Sequence, residues 1–233
     1  MRRFLSACAG VVVVSIASSS SADMVAYWHF NGLLPNPDTA TGIAADLGSG
    51  TLLADGSFGS SLWASTASNP QLTAFTGFTN NAMSGVAAGN AVGFSNSSSN
   101  SAGSSNGFSA VLKLNLAEWE SVSLSYASRG SGSGFGFTTQ TWSWSTDGVN
   151  YTTLTTFTGA NAAPVVVRDL GSLAMLDHAS DAFLKITFDG ATASNGHNRI
   201  DNVLVQGTYA PVPAPAAAAL LALTAAFRRR RGR

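Results

Sequence analysis

The chain has one cysteine, three histidines and little charge, with Asp, Glu, Lys and Arg making up 10% of its 233 residues. A single cysteine excludes a disulfide framework and a cysteine-rich zinc site. Cohesion must therefore come from a hydrophobic core, which a body of this length can build. His29, His178 and His197 are scattered, and the H-E-x-x-H, G-x-S-x-G, P-loop and G-x-G-x-x-G patterns of common enzyme sites are missing. With 32 Ser, 20 Thr, 15 Asn and 24 Gly, the chain is too polar for a multi-span membrane protein and too turn-rich for a helical bundle. Short strands between many turns are expected.

The two ends differ from the body. Residues 1–22 carry Arg2 and Arg3, an apolar run from Ala7 to Ala17 and small residues up to Ala22, the three parts of a secretory signal. The apolar run is too short to cross a bilayer, which takes about 20 helical residues. Ser20 and Ala22 fit the small-x-small rule, so signal peptidase is expected to cut between Ala22 and Asp23. Residues 211–233 hold Val212-Pro213-Ala214-Pro215, an apolar run from Ala216 to Phe227, then Arg228, Arg229, Arg230 and Arg231. The prolines are expected to give a stiff extended stretch, the apolar run can enter the membrane as a short helix, and the arginines resist crossing. Twelve apolar residues reach about 18 Å as a helix against roughly 30 Å of hydrocarbon, which suits transient insertion better than a permanent span.

This tripartite tail resembles the PEP-CTERM sorting signal of Gram-negative bacteria, with Ala214 where that family usually has Glu. The resemblance implies an exosortase-type sorting enzyme as partner. It also implies a cell-surface or extracellular-matrix destination, the chain being membrane-anchored before processing.

The ends also hide the charge of the body. Seven of the 12 basic residues lie in them, leaving Lys113, Arg129, Arg168, Lys185 and Arg199 against all 12 carboxylates, a net charge of −7 for residues 23–210. An anionic body repels phosphate backbones, so no nucleic-acid partner is expected. Within it, period-two patterning predicts an all-β, two-sheet, jelly-roll-like sandwich. Strands are expected at 25–30, 108–114, 122–126, 165–170, 184–188 and 200–207. The second and third of these read as one antiparallel pair, Asp147-Gly148 reads as a hairpin turn, and residues 171–179 read as a brief helical turn. Residues 95–106 read as a solvated loop. Trp63, Phe75 and Phe78 are expected to fill one end of the core.

The opening Val25-Ala26-Tyr27-Trp28-His29-Phe30-Asn31, the segment Trp144-Ser145-Thr146-Asp147-Gly148-Val149-Asn150-Tyr151, and Phe188-Asp189-Gly190-Ala191-Thr192 leading to Asn198-Arg199-Ile200-Asp201-Asn202-Val203 are similar to a poorly characterised extracellular domain of PEP-CTERM proteins. The similarity implies a jelly-roll-like sandwich and no established activity.

Four groups are candidates for chemistry. Asp189, Asn195, Asn198 and Asp201 offer oxygen ligands for a structural Ca²⁺, or close turns through their own backbone. Trp142 and Trp144 share a strand face, either as core or as a platform for stacked sugar rings. Arg199 and Asp201 share one strand face, placed to pair with each other or with neighbouring strands. Glu118 and Glu120 flank Trp119 as a glycosidase pair would, and read better as a solvated face. The expectation is an exported, surface- or matrix-associated, non-catalytic sandwich that requires no cofactor. A carbohydrate-binding module for extracellular polysaccharide is the alternative, and a secreted hydrolase the remote one. The intact mass of the native secreted protein tests the ends. It should start at Asp23 and lack the arginine cluster, and an uncut chain in the cytosol would refute the reading.

Overall fold

The computed structural model of the protein describes residues 22–64, 71–96, 105–131 and 134–211. Among them run thirteen strands: β1 (Asp23–Trp28), β2 (Ile43–Ala44), β3 (Leu47–Gly48), β4 (Thr51–Leu53), β5 (Leu72–Thr76), β6 (Asn90–Ser95), β7 (Phe108–Leu114), β8 (Trp119–Gly130), β9 (Thr139–Ser145), β10 (Thr152–Thr158), β11 (Val166–Ser172), β12 (Ala182–Asp189) and β13 (His197–Tyr209). Among the described residues, helix is confined to two single 3-10 turns, Ser57–Gly59 and Ala174–Leu176. All pairings are antiparallel. Six strands form one sheet in the order β10-β9-β12-β7-β4-β2, and seven form the other, in which β11-β8-β13-β1-β3 is extended by β6 and β5 alongside β13. The all-β two-sheet sandwich expected from the sequence is observed, with the residue-171 segment making its brief turn. The signal and sorting motifs lie outside the described residues, apart from Ala22, Asp23 and residue 211.

Alternation decides what each strand buries. On β12, Ala182, Leu184, Ile186 and Phe188 face the core, and Lys185 and Thr187 face outward at intermediate exposure. On β7, Ala110, Leu112 and Leu114 line up opposite Ile186, Leu184 and Ala182. Trp63 enters from the β4–β5 connection and stands edge-on to Phe94, Phe108, Phe137 and Phe188, with ring centroids 5.0, 5.3, 6.2 and 5.7 Å away. Its indole N–H donates to the Ser109 carbonyl at 2.8 Å. This one ring joins both sheets and satisfies its only polar atom, as buried tryptophans require.

Three local expectations are corrected. Strands β7 and β8 are not partners: β7 pairs with β12 and β4, and β8 with β13 and β11. Alternation reports which face is buried and carries no information on which strand lies alongside. Phe75 and Phe78 do not join Trp63 in the main core. Phe78 packs with Ala91 and Ala127 in a small second cluster, and Phe75 is half-buried. Of the 95–106 segment, Ser95 ends β6, and Asn96 and Ser105 are buried.

The Asp147-Gly148 hairpin does form, joining β9 to β10. Asp147 accepts from the amides of Val149 and Asn150 and from the Asn150 side chain. Those bonds hold its carboxyl well below the ordinary carboxylate range, the Asn150 side chain having the largest effect. Gly148 has φ +71°, and a Cβ there would lie 2.5 Å from the Phe58 ring, so both turn and packing demand glycine.

Replacing Trp63 with Ala removes the ring that joins the sheets. The expected loss is about 3–5 kcal/mol of unfolding free energy, read from urea denaturation.

Candidate functional site

The outer face of the six-stranded sheet is built of hydroxyls in register. Thr187 on β12, Thr141 on β9 and Thr156 on β10 stand directly opposite one another, and the Thr141 and Thr156 hydroxyls are 3.1 Å apart. The rung on one side is Asp189, Thr139 and Thr158, and on the other Lys185, Ser143 and Thr153. Adjacent strands lie about 4.8 Å apart, so the three rungs set a lattice of seven hydroxyls that both donate and accept, that of Ser143 buried, beside Asp189, which accepts, and Lys185, which donates. Asp189, Thr153, Thr156 and Thr158 are exposed.

Aromatic rings and lysines bound one end of this lattice. Tyr151, just after the β9–β10 turn, donates its hydroxyl to the Phe58 carbonyl at 2.7 Å. The Lys185 ammonium sits 3.7 Å from the centre of its ring. Burial raises the Tyr151 phenol to about 12 and lowers Lys185, so the phenol stays neutral at physiological pH. Phe58 packs against Phe183 with centroids 4.6 Å apart and planes tilted by 34°, and Lys113 lies over both rings. Phe58 is held at φ +50°, ψ +40°, a left-handed conformation that side chains of this size rarely adopt.

The sequence candidates fall elsewhere. Trp142 is 2% exposed and faces the core, where its indole N–H donates to the Tyr126 hydroxyl at 2.9 Å. Trp144 is half-buried and packs against the same core. They share a face as expected, but it is the inner face, so they form no exposed platform. Asp189 ends β12 in the six-stranded sheet and accepts from the Gly190 amide, whereas Asp201 lies on β13 in the seven-stranded sheet. Asn198 is fully buried between them and donates to the carbonyls of Phe137 and Ala160, while Asn195 is exposed. These four do not converge on one point, which corrects the Ca²⁺ expectation. Arg199 and Asp201 do not pair either, because Asp201 is taken up by backbone amides. Glu118 accepts from Tyr209, and Glu120 lies 3.7 Å from His178, so this pair does not converge as a glycosidase pair would.

Asp201 and Asn202 instead form a clamp on the outer face of the seven-stranded sheet. The Asp201 carboxylate accepts from the amides of Phe78 and Asn202, both at 2.7 Å. Asn202 donates its side-chain amide to the carbonyls of Phe78 and Asn80, and its Oδ1 accepts from Tyr27 at 2.6 Å. Burial outweighs the two amide bonds and raises Asp201 to about 7.

The chain matches no protein-family model and no curated protein. In solved structures it is similar to the K3 cleaved adhesin domain of Lys-gingipain from Porphyromonas gingivalis. That likeness is 13% identical over 80% of this chain and 99% of the other, with a TM-score of 0.48. It is similar also to the CBM22-1 xylan-binding domain from Paenibacillus barcinonensis Xyn10C, at 10% identity over 83% and 99% of the chains and a TM-score of 0.44. A third, a family 16 carbohydrate-binding module, is 12% identical over 58% and 84% of the chains, with a TM-score of 0.33. At such identities and TM-scores below 0.5, what those proteins bind does not transfer to this chain.

The raised Asp201 carboxyl makes stability depend on pH. The folded state holds this proton where the unfolded chain releases it, so the contribution is complete below about 4 and is lost as pH rises to about 7. Asn cannot ionise, so Asp201→Asn removes that slope. The variant's deficit in Tm relative to the parent should be larger at pH 5 than at pH 8, as read by thermal unfolding.

Proposed function

We propose that this protein is a non-catalytic polysaccharide-binding sandwich, exported and held at the cell surface or in the extracellular matrix. The observation that carries the binding role is the hydroxyl lattice of β12, β9 and β10, bounded by the Tyr151 ring. A sugar chain presents hydroxyls that donate and accept, and a sheet face of threonines meets them without ordering long side chains. The apolar face of a sugar ring suits an aromatic neighbour. Export is supported by the tripartite ends and by β1 starting at Asp23, the residue at which the sequence expects the mature chain to begin. Sorting by an exosortase-type enzyme rests on the proline, apolar and arginine order of residues 212–231.

Affinity electrophoresis in gels containing xylan, mixed-linkage glucan or dextran tests the binding role. The parent should be retarded by at least one of these neutral polymers. The variant Thr141→Val/Thr156→Val, which keeps shape and deletes two hydroxyls, should lose most of that retardation while keeping its Tm within a few degrees. Migration of the parent unaltered by every polymer, or equal retardation of the variant, would refute it.

A further inference from the structure

The other outer face of the sandwich holds cations without counterions. Arg129 on β8 and Arg199 on β13 are directly opposite each other, an arrangement that destabilises a sheet when both side chains carry the same charge. Arginine does not escape by losing its proton. All 12 carboxylates of the chain lie among the described residues. The three ion pairs found there are His29–Asp46, Lys113–Asp181 and His178–Glu120, none of which involves an arginine. Asp201 is the acid closest in register, and its oxygens are bound to the amides of Phe78 and Asn202. The Nε of Arg129 is buried and has no partner. Among the described residues, the hydrogen bonds of the Arg199 side chain are long, 3.4 Å to His197 and 3.4 Å to the Thr76 carbonyl.

The pair is also held in place. Phe75 on β5 lies across Gly93, whose missing side chain makes room for the ring: a Cβ there would sit 2.0 Å from it. His197 stacks on Phe75 with centroids 4.4 Å apart and planes 10° apart, and the Arg199 guanidinium lies over the same ring at 4.6 Å. The positive groups feel one another, since Arg199 and Arg129 both lower His197 and Arg129 lowers Arg199, after the larger effect of burial. A planar guanidinium fixed on an aromatic ring beside a second one is suited to forked hydrogen bonding to a carboxylate or sulfate.

We propose that Arg129 and Arg199 form a binding site for the acid group of an anionic polysaccharide, with Phe75 as its positioning residue. The occupant being a glycan rests on the polysaccharide-binding reading above; the anion chemistry does not. Nucleic acid is disfavoured because the body around this small cationic patch carries a net charge of −7.

The test uses the secreted protein and its Arg129→Gln, Arg199→Gln and Phe75→Leu variants, with polygalacturonate, its fully methyl-esterified form, dextran sulfate and inorganic sulfate as probes. The parent should bind polygalacturonate or dextran sulfate and ignore the ester, and either arginine variant should bind about tenfold more weakly or worse. Retention of dextran sulfate alone would identify sulfate as the acid group. Phe75→Leu should weaken binding with both arginines still present. Without ligand, each arginine variant should melt at the same temperature as the parent or higher, because a repulsion is relieved; a purely structural arginine would give a lower Tm. Binding of the ester equal to that of the acid, unchanged affinity in both arginine variants, or inorganic sulfate matching the polymers would overturn the proposal. Neutral-polymer retardation by the opposite face is read separately, so either reading can fall while the other stands.

Discussion

The structure turns on one irregularity in its last strand. At Asp201 and Asn202, β13 gains a residue relative to β8: Asp201 faces Ala127, but Leu204 faces Ser125. Asn202 takes φ +50° there, a conformation that Asn tolerates better than most residues. The bulge changes which positions face inward. Asn198 and Ile200 are buried before it and Val203 and Val205 after it, so a single strand keeps its apolar side on the core while bending along the sheet. Its two polar residues are turned outward, where they bind the chain between β5 and β6. The attachment holds the connection between β6, which pairs with β13, and β5, which pairs with β6 and carries Phe75 to Arg199.

The clamp and the aromatic core divide the work. Trp63 and its four ring neighbours hold the sheets face to face by burial, which is strong and nondirectional. The clamp supplies direction: Tyr27, Asp201 and Asn202 each bind a defined backbone or side-chain group. With cohesion and register provided from within, the outer faces are free to differ. One became a lattice of hydroxyls edged by Tyr151 and Lys185, the other a cationic cluster beside the clamped loop.

Much of the fold was legible because burial leaves a period-two trace. The alternation Leu184, Ile186, Phe188 marks β12, and Asp147-Gly148 marks the β9–β10 turn through a backbone requirement that few residues meet. Pairing left no such trace, and β7 and β8 fell into different sheets although they are adjacent in the chain. The site was less legible for the same reason. Thr139 and Thr141, and Thr156 and Thr158, show the local alternation of an outward face, but only the β9–β10 and β9–β12 registers place them in rungs. Trp142 and Trp144 were correctly read as sharing a face, yet a two-residue spacing is silent on whether that face is inside or outside. Arg129 and Arg199 are 70 residues apart in sequence, and nothing short of the β8–β13 register sets them opposite each other.

Two departures from ordinary protein chemistry sit on β13, and their different resolution is informative. Asp201 is a carboxyl under a loop, an expensive placement, which two amide bonds offset in part and which burial, outweighing them, relieves by favouring the neutral form. Arg199 opposite Arg129 is also expensive, and no carboxylate pairs with either among the described residues, although the body has acids in excess. A substitution of either arginine by a neutral residue would relieve the repulsion, and Phe75 over Gly93 holds one of the charges in place. Local rules broken and repaired within the fold belong to stability, while a rule broken and left open at a half-exposed surface belongs to binding. By that criterion the clamp is architecture, and the arginine pair is the part of this sheet that faces a ligand.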